Sequence, residues 1–261
     1  MQVFDFETFD DALYLQPKVR TRTLAECSVQ RIGPIFEYAL LLNEEFKLLS
    51  HVYGQPADHL RQVLDPVPSN HQPLNTSVIP LNCEFVRCPT TESETDAPKW
   101  IMFCHRLKNA AKSAGFRNEF ASALTGTIFE LAGNVIEHSQ RASSAVAGYQ
   151  WKLGEFEFCI GDRGIGALNS LRSHPIYRDL LDSGQALQTM IKDGESSKGR
   201  NLGYGTGFHL LIHNIASERS QIRFRSGDHF LSIDGTMESP TIQIAQRIDF
   251  PGLVISSLSK I

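Results

Sequence analysis

A carboxylate and an amide stand four positions apart in the stretch ELAGNVIEHS, which begins at Glu130 and ends at Ser139. The stretch has no proline and its apolar residues recur every three or four positions, so we expect a helix on which Glu130 and Asn134 are neighbours. A carboxylate can take a proton from water, and an amide oxygen can bind a hard cation such as Mg²⁺. Two solvated residues on the edge of an ordinary helix are the alternative interpretation.

A strand that ends in aspartate and glycine forms the second candidate group. In FCIGDRGIGAL, residues 158–168, the strand pattern stops at Asp162, and Gly164 and Gly166 follow. Glycines let the backbone turn tightly and approach a ligand. A carboxylate at the end of a strand can accept a hydrogen bond from an exocyclic amine, which is one way to recognise adenine. An ordinary turn from strand to helix, capped by the aspartate, is the alternative.

A basic, glycine-rich segment directly before a predicted helix forms the third group. It reads SSKGRNLGYGTGFHLLIHNIA over residues 196–216, and its return to apolar helical periodicity argues against a flexible linker. Backbone amides at a helix N-terminus bind phosphate, and two basic side chains would add positive charge. The glycine spacing is G-x-G-x-G, which differs from both the dinucleotide and the Walker patterns. The residues concerned are Lys198, Arg200, Gly203, Gly205 and Gly207.

The segments around these groups predict an α+β domain. Apolar residues spaced three or four apart from Phe116 to His138 predict one long helix, and AVAGYQWK with EFEFCIGD predicts a hairpin. Four more alternating segments near the end, QIRFRSG, HFLSIDG, TIQIAQ and LVISSLS, predict further strands. We therefore expect a two-layer α/β sandwich, with helices on one face of a mostly antiparallel mixed sheet. Arg223 and Arg225 alternate on one strand and are expected on a solvated face.

Composition and loop-forming stretches indicate the domain division, the partners and the cellular location to expect. Polar, proline-containing stretches end near residue 98, so residues 1–97 are predicted to form a small N-terminal region of unassigned role and residues 98–261 the main domain. A net charge of −4 gives no reason to expect a nucleic-acid partner, and five cysteines, an odd number in a long chain, favour a reducing compartment. We expect no signal peptide, because the first residues are acidic and lack a basic-then-apolar order, and no apolar run approaches the ~20 residues that a membrane span needs. We therefore expect a cytoplasmic protein without a membrane partner.

Taken together, the order and spacing of the three groups resemble the Bergerat-fold (GHKL) ATPases. E-x-x-x-N on a helix is followed by D-x-G-x-G after a strand and then by G-x-G-x-G, and the resemblance covers about residues 100–261. ELAGNVIEHS is most similar to stand-alone bacterial ATP-binding domains of the histidine-kinase-like type. The resemblance implies that the α/β sandwich has the Bergerat ATP-binding fold.

The resemblance also implies a role for each residue in the three groups. Asn134 would hold Mg²⁺ on the phosphates, and Asp162 would hydrogen-bond the amine of adenine. Gly164 and Gly166 would make room for the base and its ribose. Glu130 stands where hydrolysing members carry the glutamate that activates water or an attacking hydroxyl. Gly203, Gly205 and Gly207 would present backbone amides to the phosphates, and Lys198 and Arg200 are candidate phosphate contacts from the segment before them.

The implied function is Mg²⁺-dependent ATP binding, with ATP hydrolysis or phosphorylation of protein serine or threonine. The lid, about residues 171–202, would couple the nucleotide state to a protein partner or substrate, and a homodimer is left open. Leu253 departs from the family pattern, in which many members have a threonine near the adenine. This departure keeps an alternative open, a non-catalytic regulatory module that uses the same fold to bind a protein. HRLKN resembles a phosphoacceptor box, but His105 lies too close to Glu130 for the helical hairpin that an autokinase needs.

Overall fold

Two sheets and six helices form the fold within the residues that the structure describes. The computed structural model describes residues 3–6, 27–42, 52–53, 55–64, 82–192, 219–237 and 239–261. In chain order the strands are β1 (Val3–Phe4), β2 (Cys27–Val29), β3 (Val52–Tyr53), β4 (Cys83–Arg87), β5 (Val146–Lys152), β6 (Glu155–Asp162), β7 (Arg219–Asp234) and β8 (Thr241–Lys260). The helices are α1 (Ile32–Leu42), α2 (Gln55–Leu64), α3 (Pro98–Ser113), α4 (Asn118–His138), α5 (Gly166–Arg172) and α6 (Ser183–Met190). None of these described helices has the length and apolar character needed to cross a bilayer.

The larger sheet has five strands in the order β4-β5-β6-β8-β7, and every neighbouring pair is antiparallel. The expected hairpin is confirmed, since β5 and β6 pair from Val146 opposite Gly161 to Lys152 opposite Glu155. The short strands β1, β2 and β3 form a separate parallel sheet. The α+β class is thus confirmed, while the larger sheet is antiparallel throughout rather than mixed.

Strands β7 and β8 are longer than the sequence predicts, because each continues through a glycine where the pattern suggests a turn. The register between them shifts on both sides of Gly227, and Gly252 lies within β8. Both glycines have a positive φ, 50° at Gly227 and 91° at Gly252, which glycine adopts without strain. A Cβ on Gly252 would also lie 2.1 Å from the carbonyl oxygen of Asp162 on β6. The four predicted strands of this region are therefore two bent ones.

Helices α3 and α4 cover one face of the larger sheet. Alternate residues of β6 point to this face, as the two-residue period of a strand requires, and they are Phe156, Phe158 and Ile160. Helix α4 packs against the sheet with an apolar stripe whose residues are three or four apart. The stripe comprises Phe120, Leu124, Ile128, Leu131 and Val135, all of them buried. Because the stripe faces the sheet, the polar residues of α4 lie along its edges and outer side.

Helix α1 covers the opposite face of the larger sheet. Cys159, which alternates with the front-facing residues of β6, packs with Ile35 and Phe36 of α1 in a second apolar cluster. Strand β4, which also precedes residue 98, pairs with β5. The expectation of helices on a single face is therefore corrected, because the N-terminal region supplies a layer of its own. The domain boundary near residue 98 stays a prediction.

Two arginines that the sequence predicts on a solvated face are instead buried beneath α1. Arg225 is 1% exposed and Arg223 is 8% exposed. Glu37, the one acidic residue of α1, accepts hydrogen bonds from Arg223 at 3.0 and 3.2 Å and lies 3.2 Å from Arg225 Nε. The rings of Phe6 and Phe230 lie 4.4 and 4.1 Å from the Arg223 guanidinium carbon. The expectation of a solvated face is wrong because α1 both covers the face and brings the counter-charge.

Side chains of the larger sheet also hold the ends of the N-terminal helices. Glu157 of β6 accepts hydrogen bonds from the backbone N–H groups of Ile32 and Gly33 at 2.8 and 3.0 Å, a favourable position for a carboxylate at a helix N-terminus. Burial raises the pKa of Glu157, and the Arg31 guanidinium, 3.4 Å away, opposes this shift. Arg87 of β4 donates to the last carbonyls of α2. The N-terminal helices are therefore joined to the larger sheet by polar contacts as well as by packing.

Candidate functional site

Helix α4 carries the predicted carboxylate and amide one turn apart. Glu130 is exposed and Asn134 is half-buried, beside the apolar stripe that packs on the sheet. Within the described part of the chain, neither side chain forms a hydrogen bond or an ion pair. Both groups are therefore available to a ligand at this edge of α4.

Asp162 ends strand β6 as the sequence predicts, and its carboxylate is 5% exposed. One carboxylate oxygen, Oδ1, accepts hydrogen bonds from Ser139 Oγ at 2.7 Å and from Gly164 N–H at 2.6 Å. Burial raises the pKa of Asp162, and these two hydrogen bonds oppose the shift because they favour the charged form. The other oxygen, Oδ2, accepts no hydrogen bond from the residues that the structure describes. Asp162 is thus a fixed acceptor with one oxygen left for a donor.

Ser139 joins the end of α4 to the end of β6. Its N–H donates to Val135 at the end of the helix, and its carbonyl accepts from Ile165 N–H at 3.0 Å. Since Ser139 follows α4 directly, Asn134 lies about 7.5 Å from it along the helix axis. The predicted carboxylate, amide and aspartate therefore lie on two adjoining elements, while their roles toward a ligand stay predictions.

The two glycines after Asp162 are needed by the packing of the protein itself. A Cβ on Gly164 would lie 1.9 Å from the carbonyl oxygen of Ser139. Gly166 has a φ of 73°, and a Cβ there would lie 2.8 Å from Ser226 Oγ. These contacts explain both glycines without a ligand, so the space that they were predicted to leave for a base and its ribose stays a prediction.

The Gly164→Ala variant is expected to lose about 3 kcal/mol of unfolding free energy, because the added methyl group meets backbone that cannot move aside. Thermal or urea unfolding measures this loss. Gly126→Ala on α4 is the matched control, since a Cβ there meets nothing within 4 Å, and it is expected to stabilise the helix by roughly 0.5–1 kcal/mol. Equal stabilities for the two variants would contradict the close approach of Ser139 to Gly164.

Sequence reasoning did not identify two hydroxyl groups that hold this region together. Ser139 gives only the weak signal of a serine after a helix, and Ser226 lies inside a strand pattern. Ser226 Oγ donates to Gly252 carbonyl at 2.7 Å and accepts from Ala167 N–H at 2.9 Å. In the register of the sheet, Asp162, Leu253 and Ser226 stand opposite one another on β6, β8 and β7. The half-buried Leu253 therefore lies between the Asp162 carboxylate and the Ser226 hydroxyl group, which already makes two hydrogen bonds to backbone groups.

The third predicted group falls outside the described residues, which have a gap at 193–218. The structure therefore gives no placement for the residues expected to contact phosphates. They are Lys198, Arg200, Gly203, Gly205 and Gly207.

Cys83, Cys88, Cys104 and Cys159 are buried free thiols. Burial raises the pKa of Cys104 to about 12. The pKa of Cys83 is raised to about 11, mainly by burial and further by the nearby Glu84 carboxylate. Both thiols are therefore protonated at neutral pH and are poor nucleophiles. Among the described residues, no group of three or more His, Cys, Asp or Glu side chains is placed to hold a metal ion.

No protein-family model, curated protein or solved structure matches this chain. A fixed carboxylate acceptor lies at the end of β6, and a free amide and an exposed carboxylate lie on the adjoining helix. These groups can accept a hydrogen bond from an amine, bind one hard cation such as Mg²⁺ and take up a proton.

Proposed function

We propose that the protein binds ATP with Mg²⁺ where α4 meets the end of β6, and that it hydrolyses ATP or transfers its terminal phosphate to a protein hydroxyl group. The observation that carries this proposal is the hydrogen bonding of the Asp162 carboxylate, in which one oxygen is bonded and the other is open. Oδ1 takes both hydrogen bonds from the described residues, whereas Oδ2 takes none and is not among their buried side-chain atoms that lack a partner, so a ligand can reach it. The amine of adenine would supply the missing donor.

The neighbouring helix supports the placement of the phosphates and of Mg²⁺. Mg²⁺ bound with a nucleotide needs only one or two protein oxygens, since phosphates and water supply the others. The Asn134 amide oxygen fits this need because it is half-buried and has no partner in the described chain. The bound cation would neutralise phosphate charge, and the glycine-rich segment would add backbone donors.

Titration calorimetry with ATP and excess Mg²⁺ tests the binding step. One equivalent of ATP is expected to bind, with weaker binding when EDTA removes the cation. GTP, which carries an oxygen where adenine carries the amine, is expected to bind at least tenfold more weakly, because it would place an acceptor against a carboxylate. Absence of ATP binding at millimolar nucleotide would refute the proposal.

Glu130 is expected to serve turnover rather than binding. The Glu130→Gln variant should bind ATP with Mg²⁺ as the wild type does and lose about 10²–10⁴-fold in the rate of phosphate release, because a neutral amide cannot take a proton. Glu119→Gln is the matched control, since Glu119 is exposed in the first turn of the same helix. Unchanged turnover in Glu130→Gln would remove Glu130 from the role of base.

A specific feature favours a second candidate, a non-catalytic regulatory module that binds a protein through the same fold. Leu253 stands directly opposite Asp162 and offers the base an apolar contact in place of a hydrogen bond. The Ser226 hydroxyl group is occupied by backbone groups, so among the described residues recognition of the base would depend on Asp162. Phosphate release measured with and without candidate protein partners separates the two functions, because partner-stimulated turnover excludes the non-catalytic one.

A further inference from the structure

We infer that Ser139 is a positioning residue, which fixes the Asp162 carboxylate so that Oδ2 selects purine nucleotides with an amine at the 6-position, as in adenine. This inference rests on the proposed function and deepens it. The feature that carries it is the convergence of two donors, one side chain and one backbone group, on the same oxygen of Asp162.

The hydrogen-bond pattern around Ser139 defines the direction of its hydroxyl hydrogen. Ser139 Oγ accepts a hydrogen bond from Arg141 N–H at 3.2 Å and lies 2.7 Å from Asp162 Oδ1. Because an ionised carboxylate only accepts, the hydroxyl group must donate to it. Ser139 is 5% exposed, so water does not compete freely for that hydrogen.

Two donors on one oxygen orient the carboxylate more firmly than one donor can. The terminal torsion of aspartate is broad, so a carboxylate held at a single point can swing. With Ser139 and Gly164 both bound to Oδ1, Oδ2 is the oxygen that stays open. Without the Ser139 hydroxyl group only the Gly164 contact would remain, and the buried charge would lose half of its described hydrogen bonds. Selectivity for the amine should fall before the fold is lost.

A pair of nucleotides separates positioning from general structural support. ATP and purine riboside triphosphate differ only in the exocyclic amine, so the ratio of their affinities reports the contact with Asp162. Calorimetry on the wild type with Mg²⁺ is expected to give a preference for ATP of about tenfold or more. In Ser139→Ala, ATP affinity is expected to fall about tenfold while purine riboside triphosphate changes less than about twofold, so that the preference disappears.

Conservative variants and a neighbouring serine complete the test. Ser139→Thr keeps the hydroxyl donor and is expected to restore the preference, and Ser139→Cys, a weaker donor of similar size, should show an intermediate one. Ser144→Ala is the matched control, because Ser144 Oγ accepts from Arg163 N–H beside the site and does not touch the carboxylate. Its ratio is expected to equal that of the wild type.

The outcomes distinguish this inference from the proposed function. Equal weakening of both nucleotides in Ser139→Ala would show structural support only and would overturn the inference, as would an unchanged preference for ATP. If Ser139→Ala does not fold, the Ser139→Cys ratio decides in the same way. A wild type that binds neither nucleotide overturns the proposed function itself, and the positioning role with it.

Discussion

The Asp162→Asn variant is expected to fold like the wild type and to lose about 100-fold in affinity for ATP. Asparagine has the same shape, and its amide oxygen can accept the hydrogen bonds that Asp162 Oδ1 takes from Ser139 and Gly164. Its amide nitrogen would then stand in the place of Oδ2. Two donors, that nitrogen and the adenine amine, would face each other, so the contact becomes repulsive as well as lost.

Calorimetric titration of ATP with Mg²⁺ into both proteins measures this loss. Asp234→Asn is the matched control, because Asp234 Oδ1 also accepts two hydrogen bonds, from the N–H and the hydroxyl group of Thr236, at the far end of β7. The control is expected to bind ATP as the wild type does. Similar affinities for Asp162→Asn and the wild type would mean that the carboxylate does not meet the base.

The same variant tests whether the carboxylate serves a ligand rather than the fold. Burial raises the pKa of Asp162, so its ionised form is less favourable in the folded protein than in the unfolded one. Stability from this group is present at low pH and is lost as pH rises through the raised pKa. At pH 7 the variant without this charge is therefore expected to be as stable as the wild type to within about 1 kcal/mol, or more stable. Clear destabilisation would instead indicate a structural carboxylate.

Local patterns in the sequence are enough to predict the elements that carry this candidate site. The hairpin of β5 and β6 needs only two alternating segments around a short turn, and α4 needs only its apolar stripe. Asp162 could be placed at a strand end because glycines follow it at once. Each of these patterns spans only about 20 residues, so no distant contact is required to interpret it.

A glycine inside an alternating pattern is ambiguous when only its neighbours are considered. Gly227 ends one predicted strand segment and Gly252 lies between two others, and glycine at such positions is typical of turns. Pairing along the whole of β7 and β8 keeps both strands continuous, and each glycine forms a bend instead. The choice between turn and bend depends on partner strands, which local patterns do not identify.

Long-range polar partners leave no mark in the spacing of residues. Glu37 and Arg223 are 186 positions apart, and each looks like an ordinary surface residue beside its neighbours. Ser139 and Asp162 are 23 positions apart, and only the packing of α4 on β6 brings them together. Buried hydrogen-bonded pairs of this kind emerge from the assembled fold, which is why the sequence predicted the carboxylate of the site but not the hydroxyl group that holds it.

Removal of the Glu37 carboxylate is expected to destabilise the protein by about 3–5 kcal/mol, because two buried guanidinium groups lose a carboxylate that both contact. Glu37 is 1% exposed and contacts both Arg223 and Arg225, so water cannot replace it. Domains of ordinary stability have only about 5–15 kcal/mol in total. Glu37→Ala should therefore lower the unfolding midpoint in urea strongly. Glu37→Gln, which keeps an acceptor without the charge, should lie between it and the wild type.

An exposed ion pair provides the control for this prediction. Lys152 Nζ lies 3.0 Å from Glu155, and its side chain is 66% exposed. Lys152→Ala is expected to cost less than about 1 kcal/mol, because solvent screens such pairs. A Glu37→Ala protein as stable as Lys152→Ala would mean that α1 does not cover the arginines in solution.

The loss of Glu37 is also expected to loosen the edge of the candidate site. Arg225 donates to the carbonyl of Gly227, which lies in the bend of β7. Ser226, the residue between these two, accepts a hydrogen bond from the N–H of Ala167 in α5. In Glu37→Gln the amide hydrogen of Ala167 should therefore exchange with solvent faster than in the wild type, while the amides of β5 change less. Strand β5 is the internal control, because it belongs to the same sheet but does not contact Arg225 through this bend. Faster exchange at Ala167 alone would indicate that α1 stabilises the site through Arg225. A uniform increase that includes β5 would indicate global destabilisation.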